Sequence, residues 1–149
     1  MNDYNLFEFT KLIERIVDAH PLINSFFVGK YTVNESDNVV YPALALTINA
    51  VTNQSSTLTF DCNLLYADRL TDRRDNETSI QSVGVSSIVE VLNALNAHTL
   101  SELDESYTIT PFSEQFADNC AGVFTRINVV LPSYIGECEW INSECITCK

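Results

Sequence analysis

The sequence predicts an α+β fold: a mainly antiparallel sheet covered on one face by two helices, in the order α-β-β-β-α-β-β. Two stretches repeat apolar residues at helical spacing, and several others alternate with a period of two. Only four glycines and four prolines interrupt the 149 residues, so no low-complexity linker is expected.

Leu6, Phe9, Leu12, Ile13, Ile16 and Val17 form an apolar stripe with Glu8, Lys11, Glu14 and Arg15 between them. This predicts an amphipathic helix that stops before His20-Pro21, since the residue before proline avoids the helical region. A short strand is expected over Ser25–Tyr31, followed by a polar turn over Asn34–Asn38. In VVYPALALTINA (39–50), Leu44, Leu46 and Ile48 fall on one side of a strand, with Ala43, Ala45, Thr47 and Asn49 on the other. In STLTFDCNLLYADR (56–69), Leu58, Phe60, Cys62, Leu64 and Tyr66 share a face. The connection TNQSS between these runs is hairpin-like, which makes them antiparallel partners.

Helical spacing returns at Ile80, Val83, Ser87, Ile88, Val91, Leu92 and Leu95. Asn76 or Thr78 can cap this helix, and Glu77 suits the positive end of its dipole. Two last strands are expected at Ser106–Thr110 and Gly122–Leu131, joined by a connection over Pro111–Asn119 and ended by Pro132. Residues 1–132 thus read as a single α+β domain, and 133–149 as an irregular Cys-containing tail.

The formal charge of −12 opposes nonspecific adhesion to nucleic acid or an anionic membrane, because phosphate neutralisation needs clustered Lys and Arg. No apolar run approaches the roughly 20 residues of a membrane span. The N-terminus lacks the basic and apolar regions of a secretory signal, so synthesis in the cytosol is expected.

Catalytic motifs are missing. Neither His20 nor His98 has a partner motif, and no GxSxG, P-loop, GxGxxG or HExxH occurs. The acids Glu102, Asp104 and Glu105 read as a solvated turn. Cys62 and Cys120 lie in apolar runs and read as buried thiols. Cys138, Cys145 and Cys148 form C-x6-C-x2-C, which is one ligand short of a tetrahedral zinc site. An exposed tail, a metal site completed elsewhere, an interchain disulfide and a redox pair are the readings open for it. No cofactor is implied.

The segment LYADRLTDRRDNET (65–78) concentrates three of the eight basic residues, Arg69, Arg73 and Arg74, among Asp68, Asp72, Asp75, Asn76 and Glu77. Acids outnumber arginines, which speaks against nucleic acid and leaves two readings. It is either a solvated connection with local ion pairs, each worth about 0–1 kcal/mol, or a surface that docks onto protein, where charge sets register more than affinity.

Taken together, the first helix, YPALALTINA, the partner strand ending in YADR, the Arg/Asp/Asn loop, the second helix, ITPF and FTRINVVLPS resemble small structural proteins of tailed bacteriophages of the crAss-like, Bacteroidetes-infecting type. In element order they also resemble the tail terminator (tail completion) proteins. The resemblance spans Leu6 to Pro132. It implies a virion protein without catalytic activity, forming a ring of six or twelve copies at the neck or upper tail. Its partners would be copies of itself and portal, neck or tail proteins, with DNA passing through unbound and no membrane involved. It places the interface on Asp68–Asn76, with Asn34–Asn38 and 111–119 as further contact loops. The Cys-containing tail departs from the short ending of those proteins. Two other functions compete: a small zinc-binding module built on the terminal cysteines, and an acidic adaptor that inhibits a host protein.

Overall fold

In a computed structural model, residues 6–29, 39–73, 75–97, 102–115 and 119–132 are described. They form α1 (Leu6–Ala19), β1 (Ser25–Val28), β2 (Ala43–Gln54), β3 (Thr57–Arg69), α2 (Glu77–Ala97), β4 (Glu102–Leu103), β5 (Ile109–Gln115) and β6 (Cys120–Pro132). The six strands make one sheet in the order β1-β2-β3-β6-β4, with β5 also paired to β6. Every pairing is antiparallel except that of β1 with β2. The fold is α+β, and no described helix is long and apolar enough to cross a membrane.

The centre of the sheet is the β3–β6 ladder, which runs without interruption from Thr57↔Pro132 to Arg69↔Cys120. Because side chains alternate across a strand, this register puts Leu58, Phe60, Cys62, Leu64 and Tyr66 beside Leu131, Val129, Ile127, Thr125 and Val123 on one face. All ten are buried. Thr125 is the polar member, and its hydroxyl donates to the Thr108 carbonyl at 2.8 Å. Both helices cover this face. Phe9, Leu12, Ile13 and Val17 of α1 join Ile88, Val91, Leu92 and Leu95 of α2 in the same core. The Phe9 ring stacks on Phe60 with centroids 4.3 Å apart.

The turn between β2 and β3 is shorter than TNQSS suggests. Gln54 pairs with Thr57, leaving Ser55 and Ser56 as a two-residue loop, with Ser55 at φ 55°. A positive φ at the first central residue lets the turn match the right-handed twist of its strands. In β2 a bulge at Asn49 breaks the register between Ile48 and Ala50.

Three expectations need correction. The connection expected over Pro111–Asn119 begins as strand: Ile109, Thr110, Pro111 and Phe112 pair with Thr125, Phe124, Val123 and Gly122, and β5 runs to Gln115. Pro111 is tolerated because β5 pairs only with β6, so its missing N–H interrupts no second ladder. The acidic run 102–105 holds a two-residue strand, β4, and Asp104 accepts the Asn128 backbone N–H at 3.1 Å. In α2, Val83 is not a core residue. It is 36% exposed, and Gly84 takes the buried position.

Gly84 lies where α2 comes closest to the sheet. A Cβ there would meet the Tyr66 ring at 2.8 Å and Val123 Cγ2 at 2.9 Å. Gly84→Ala should therefore cost about 1–3 kcal/mol of stability through overpacking, read from the urea midpoint. Ser55→Gly should move the same midpoint the other way, by about 1 kcal/mol, because glycine carries no penalty at positive φ.

Candidate functional site

The loop from Asp68 to Asn76 joins the end of β3 to the start of α2, and local hydrogen bonds fix its course. Asn76 acts as a clasp. Its amide Nδ2 donates to the Arg69 carbonyl at 3.1 Å, and its Oδ1 accepts the Thr71 N–H at 2.9 Å. Its own carbonyl accepts the Ile80 N–H at 2.9 Å, the first hydrogen bond of α2. Thr71 donates its hydroxyl to Asp75 at 2.7 Å, and the Leu70 N–H reaches the Asn119 carbonyl at 3.0 Å. Asn and Asp are suited to such loops because short polar side chains satisfy nearby backbone groups.

These contacts sort the loop residues by role. The Arg69 guanidinium lies 5.3 Å from the centroid of the Tyr41 ring, within cation–π reach. Asp68 accepts its neighbour's N–H through Oδ1 at 2.8 Å. Asp75 and Asn76 brace the loop. Asp72 and Arg73 are exposed, and their side chains make no hydrogen bond or ion pair among the described residues. Arg74 lies outside the described residues, as do His98, Asn34–Asn38, Cys138, Cys145 and Cys148. Of the 111–119 connection, 111–115 is strand, and Asn119, at φ 54°, starts the turn into β6.

Asp68 and Asn76 also line a pocket of about 470 Å³ at this end of the sheet. Its other lining residues are Pro21, Leu22, Asn24, Pro42, Tyr66, Ser79, Ile80 and Val83. The Pro21-Leu22 wall is held by His20. The ring's Nδ1 accepts the Leu22 N–H at 3.2 Å, so Nε2 carries the proton and donates to Glu90 of α2 at 2.6 Å. Tyr66 is 1% exposed, and burial, then the Asp68 charge, pushes its phenol up to about 12.

The face of the sheet opposite the two described helices carries a second polar group. Arg126 grips Asp61 with a two-pronged fork, Nε to Oδ1 at 2.9 Å and an η nitrogen to Oδ2 at 2.6 Å. This holds the Asp61 carboxyl below its ordinary value against partial burial, with a further hydrogen bond from Asn49 at the bulge. Further along the sheet, towards the end where β3 leaves for the loop, Ala67, Phe112 and Cys120 form a small buried cluster with Tyr41 and Leu65. Cys62, on the opposite face, is wholly buried, and its thiol is pushed up to about 12 by burial and then by the Asp61 charge. Such thiols are inert.

Pattern reading of the sequence reached the loop but missed the pocket. Tyr66 looked like one more core residue, and Pro21, Asn24 and Pro42 are brought to it only by folding. Among the described residues no three metal-ligating side chains converge. Compared with protein-family models and with curated proteins, the chain matches none of them.

Asn76→Ala should destabilise the fold by about 1–2 kcal/mol, since it frees the Arg69 carbonyl and the Thr71 N–H together. Chemical denaturation measures this. The Asp61 pKa lies below 3.8 in the folded state, so its stabilisation is complete above the unfolded value and is lost as pH falls through the folded one. Wild type should therefore melt above Asp61→Asn near neutral pH, with the gap closing as pH falls below 3.8.

Proposed function

We propose that this protein is a structural component of a phage virion. It forms a homo-oligomeric ring at the head–tail neck or upper tail, between portal or adaptor proteins and the tail, around the path of the DNA. One observation carries the reading. The Asp68–Asn76 loop is braced internally, yet Asp72 and Arg73 are exposed and their side chains engage no other described residue. The bracing follows from the shortness of the connection, and a contact surface gains from it, because a loop ordered beforehand loses less entropy on association.

A ring requires two different complementary patches on each subunit. The Asp72/Arg73 tip supplies one. The sheet face opposite the two described helices supplies the other, with the Phe124 ring 40% exposed beside the carboxylate–guanidinium pair of Asp61 and Arg126. The net charge of −12 suits a wall past which DNA slides without sticking. The interface works by register and shape, and no step of bond chemistry is assigned to it.

Native mass spectrometry and sedimentation velocity, alone and with portal and tail partners, test this reading. The expected result is a closed oligomer of six or twelve copies, free or on its partners. Arg73→Glu should weaken assembly by about tenfold or more, the effect of about 1.4 kcal/mol at a charged contact, while the subunit stays folded. A chain that stays monomeric with every partner overturns the proposal, as does assembly indifferent to Arg73→Glu and to Phe124→Ser.

A further inference from the structure

The pocket beside the loop has a chemistry that the ring reading does not use. Its walls are apolar at Pro21, Leu22, Pro42, Ile80 and Val83, and Leu22 and Val83 leave apolar surface exposed at 51% and 36%. Such a lining removes a hydrocarbon stem from water.

The polar groups are selective as well. The Asn24 amide N–H is engaged by the Tyr41 carbonyl at 2.8 Å, and that of Asn76 by the Arg69 carbonyl. Asn76 Oδ1 is taken by Thr71, and Asp68 Oδ1 by Arg69. What remains is mixed: the second N–H of each amide can donate, Asp68 Oδ2 and the Asn24 side-chain carbonyl can accept, and the hydroxyls of Tyr66 and Ser79 can do either, so the full charge of Asp68 sets the preference. Tyr66 is 1% exposed, lines the pocket, and its hydroxyl has no hydrogen-bond partner among the described residues; it is not among the polar atoms sealed from solvent, of which Ser87 Oγ is the unpartnered one described. The ring is therefore packed in the core while the hydroxyl is open to the pocket and available to a ligand atom.

Charge decides between donors. Among the described residues Asp68 is the one charged residue in the lining, and no described Lys or Arg accompanies it. The start of α2 favours anions in general, but Ser79, Ile80 and Val83 present the flank of the helix, and Asp75 and Glu77 bring two more acids to that end. An anion would therefore meet net negative charge.

We propose that this pocket binds a primary ammonium group on an apolar stem. The ammonium is held between the Asp68 carboxylate and the Tyr66 hydroxyl, and the stem lies against Pro21, Pro42, Ile80 and Val83. A free alkylamine and the lysine side chain of a partner protein both present this chemistry.

Saturation-transfer NMR reads binding to the full chain whatever its oligomeric state. The probes are n-butylammonium, butyrate and 1-butanol at matched ionic strength. Nα-acetyl-lysine methylamide stands for a lysine held in a polypeptide. Butylammonium should bind saturably, about tenfold or more tighter than butyrate and butanol, the equivalent of about 1.4 kcal/mol. Asp68→Asn should remove that preference, and Tyr66→Phe, which keeps the packed ring, should weaken it severalfold. Binding of the blocked lysine as well assigns the pocket to a partner's side chain. Binding of butylammonium alone assigns it to a free amine. Equal binding of butyrate, no saturable binding of either amine, or an unchanged preference in Asp68→Asn overturns the proposal. If Asp68→Asn does not fold, the wild-type comparison of amine, acid and alcohol decides by itself. None of these outcomes depends on whether a ring forms.

Discussion

The seat of α2 on Tyr66 is the constraint from which most of this molecule follows. Gly84 has no Cβ, so the helix drops onto the aromatic ring to a distance that alanine could not reach. A Cβ at Gly122 would strike the Tyr66 carbonyl oxygen, so the chain around Tyr66 is hemmed in by two glycines. That contact buries Ser87, Ile88, Val91 and Leu92 further along the helix and leaves α1 to close the remaining core through Phe9 on Phe60. It also tilts the balance of exposure along α2. Val83 is turned out of the core and becomes pocket wall instead.

The same contact explains why polar groups gather at one end of the sheet. Tyr66 and Asp68 leave β3 just where the first turn of α2 begins, and only seven residues, 70–76, connect the two elements. A connection that short cannot wander, and its backbone groups need partners. Asn76 provides them from the helix side and the Asn119 carbonyl from the β6 side. The bracing of the loop and the shape of the pocket beside it are thus two results of one close helix–sheet approach. At the loop's outer tip, Asp72 and Arg73 are exposed and take no part in that bracing.

The Arg126–Asp61 pair plays a different part. It lies on the sheet face opposite the two described helices, with Arg126 70% exposed, so solvent screens it and its contribution to stability is small. The bulge at Asn49 brings a third polar side chain to it, because the extra residue changes which β2 side chains face outward. Beside it, Leu65 and Phe124 give this face a mixed character, apolar towards β5 and polar towards the bulge.

Elements with long, regular periodicity were legible without coordinates. α1, β2, β3, α2 and β6 all follow from spacing, since burying one face against water imposes that spacing on any helix or strand. The connecting loop was legible as a charged segment with Asn76 as cap. Short or interrupted pieces were not. β4 is two residues long, too short to show a period, and β5 contains Pro111, which reads as a break unless the strand is known to lie at an edge. Amphipathic spacing also could not tell Val83 from Gly84, because which neighbour faces the sheet depends on how closely the helix approaches. The sequence by itself determined the helices, the long strands, the acidic balance and the Asp/Arg loop, all of which depend on neighbours along the chain. The pocket, the opening of the Tyr66 hydroxyl onto it and the separation of the loop into braced and outward-facing residues were decided only by tertiary structure. They join residues from Pro21 to Val83, and no local pattern encodes a distance between them.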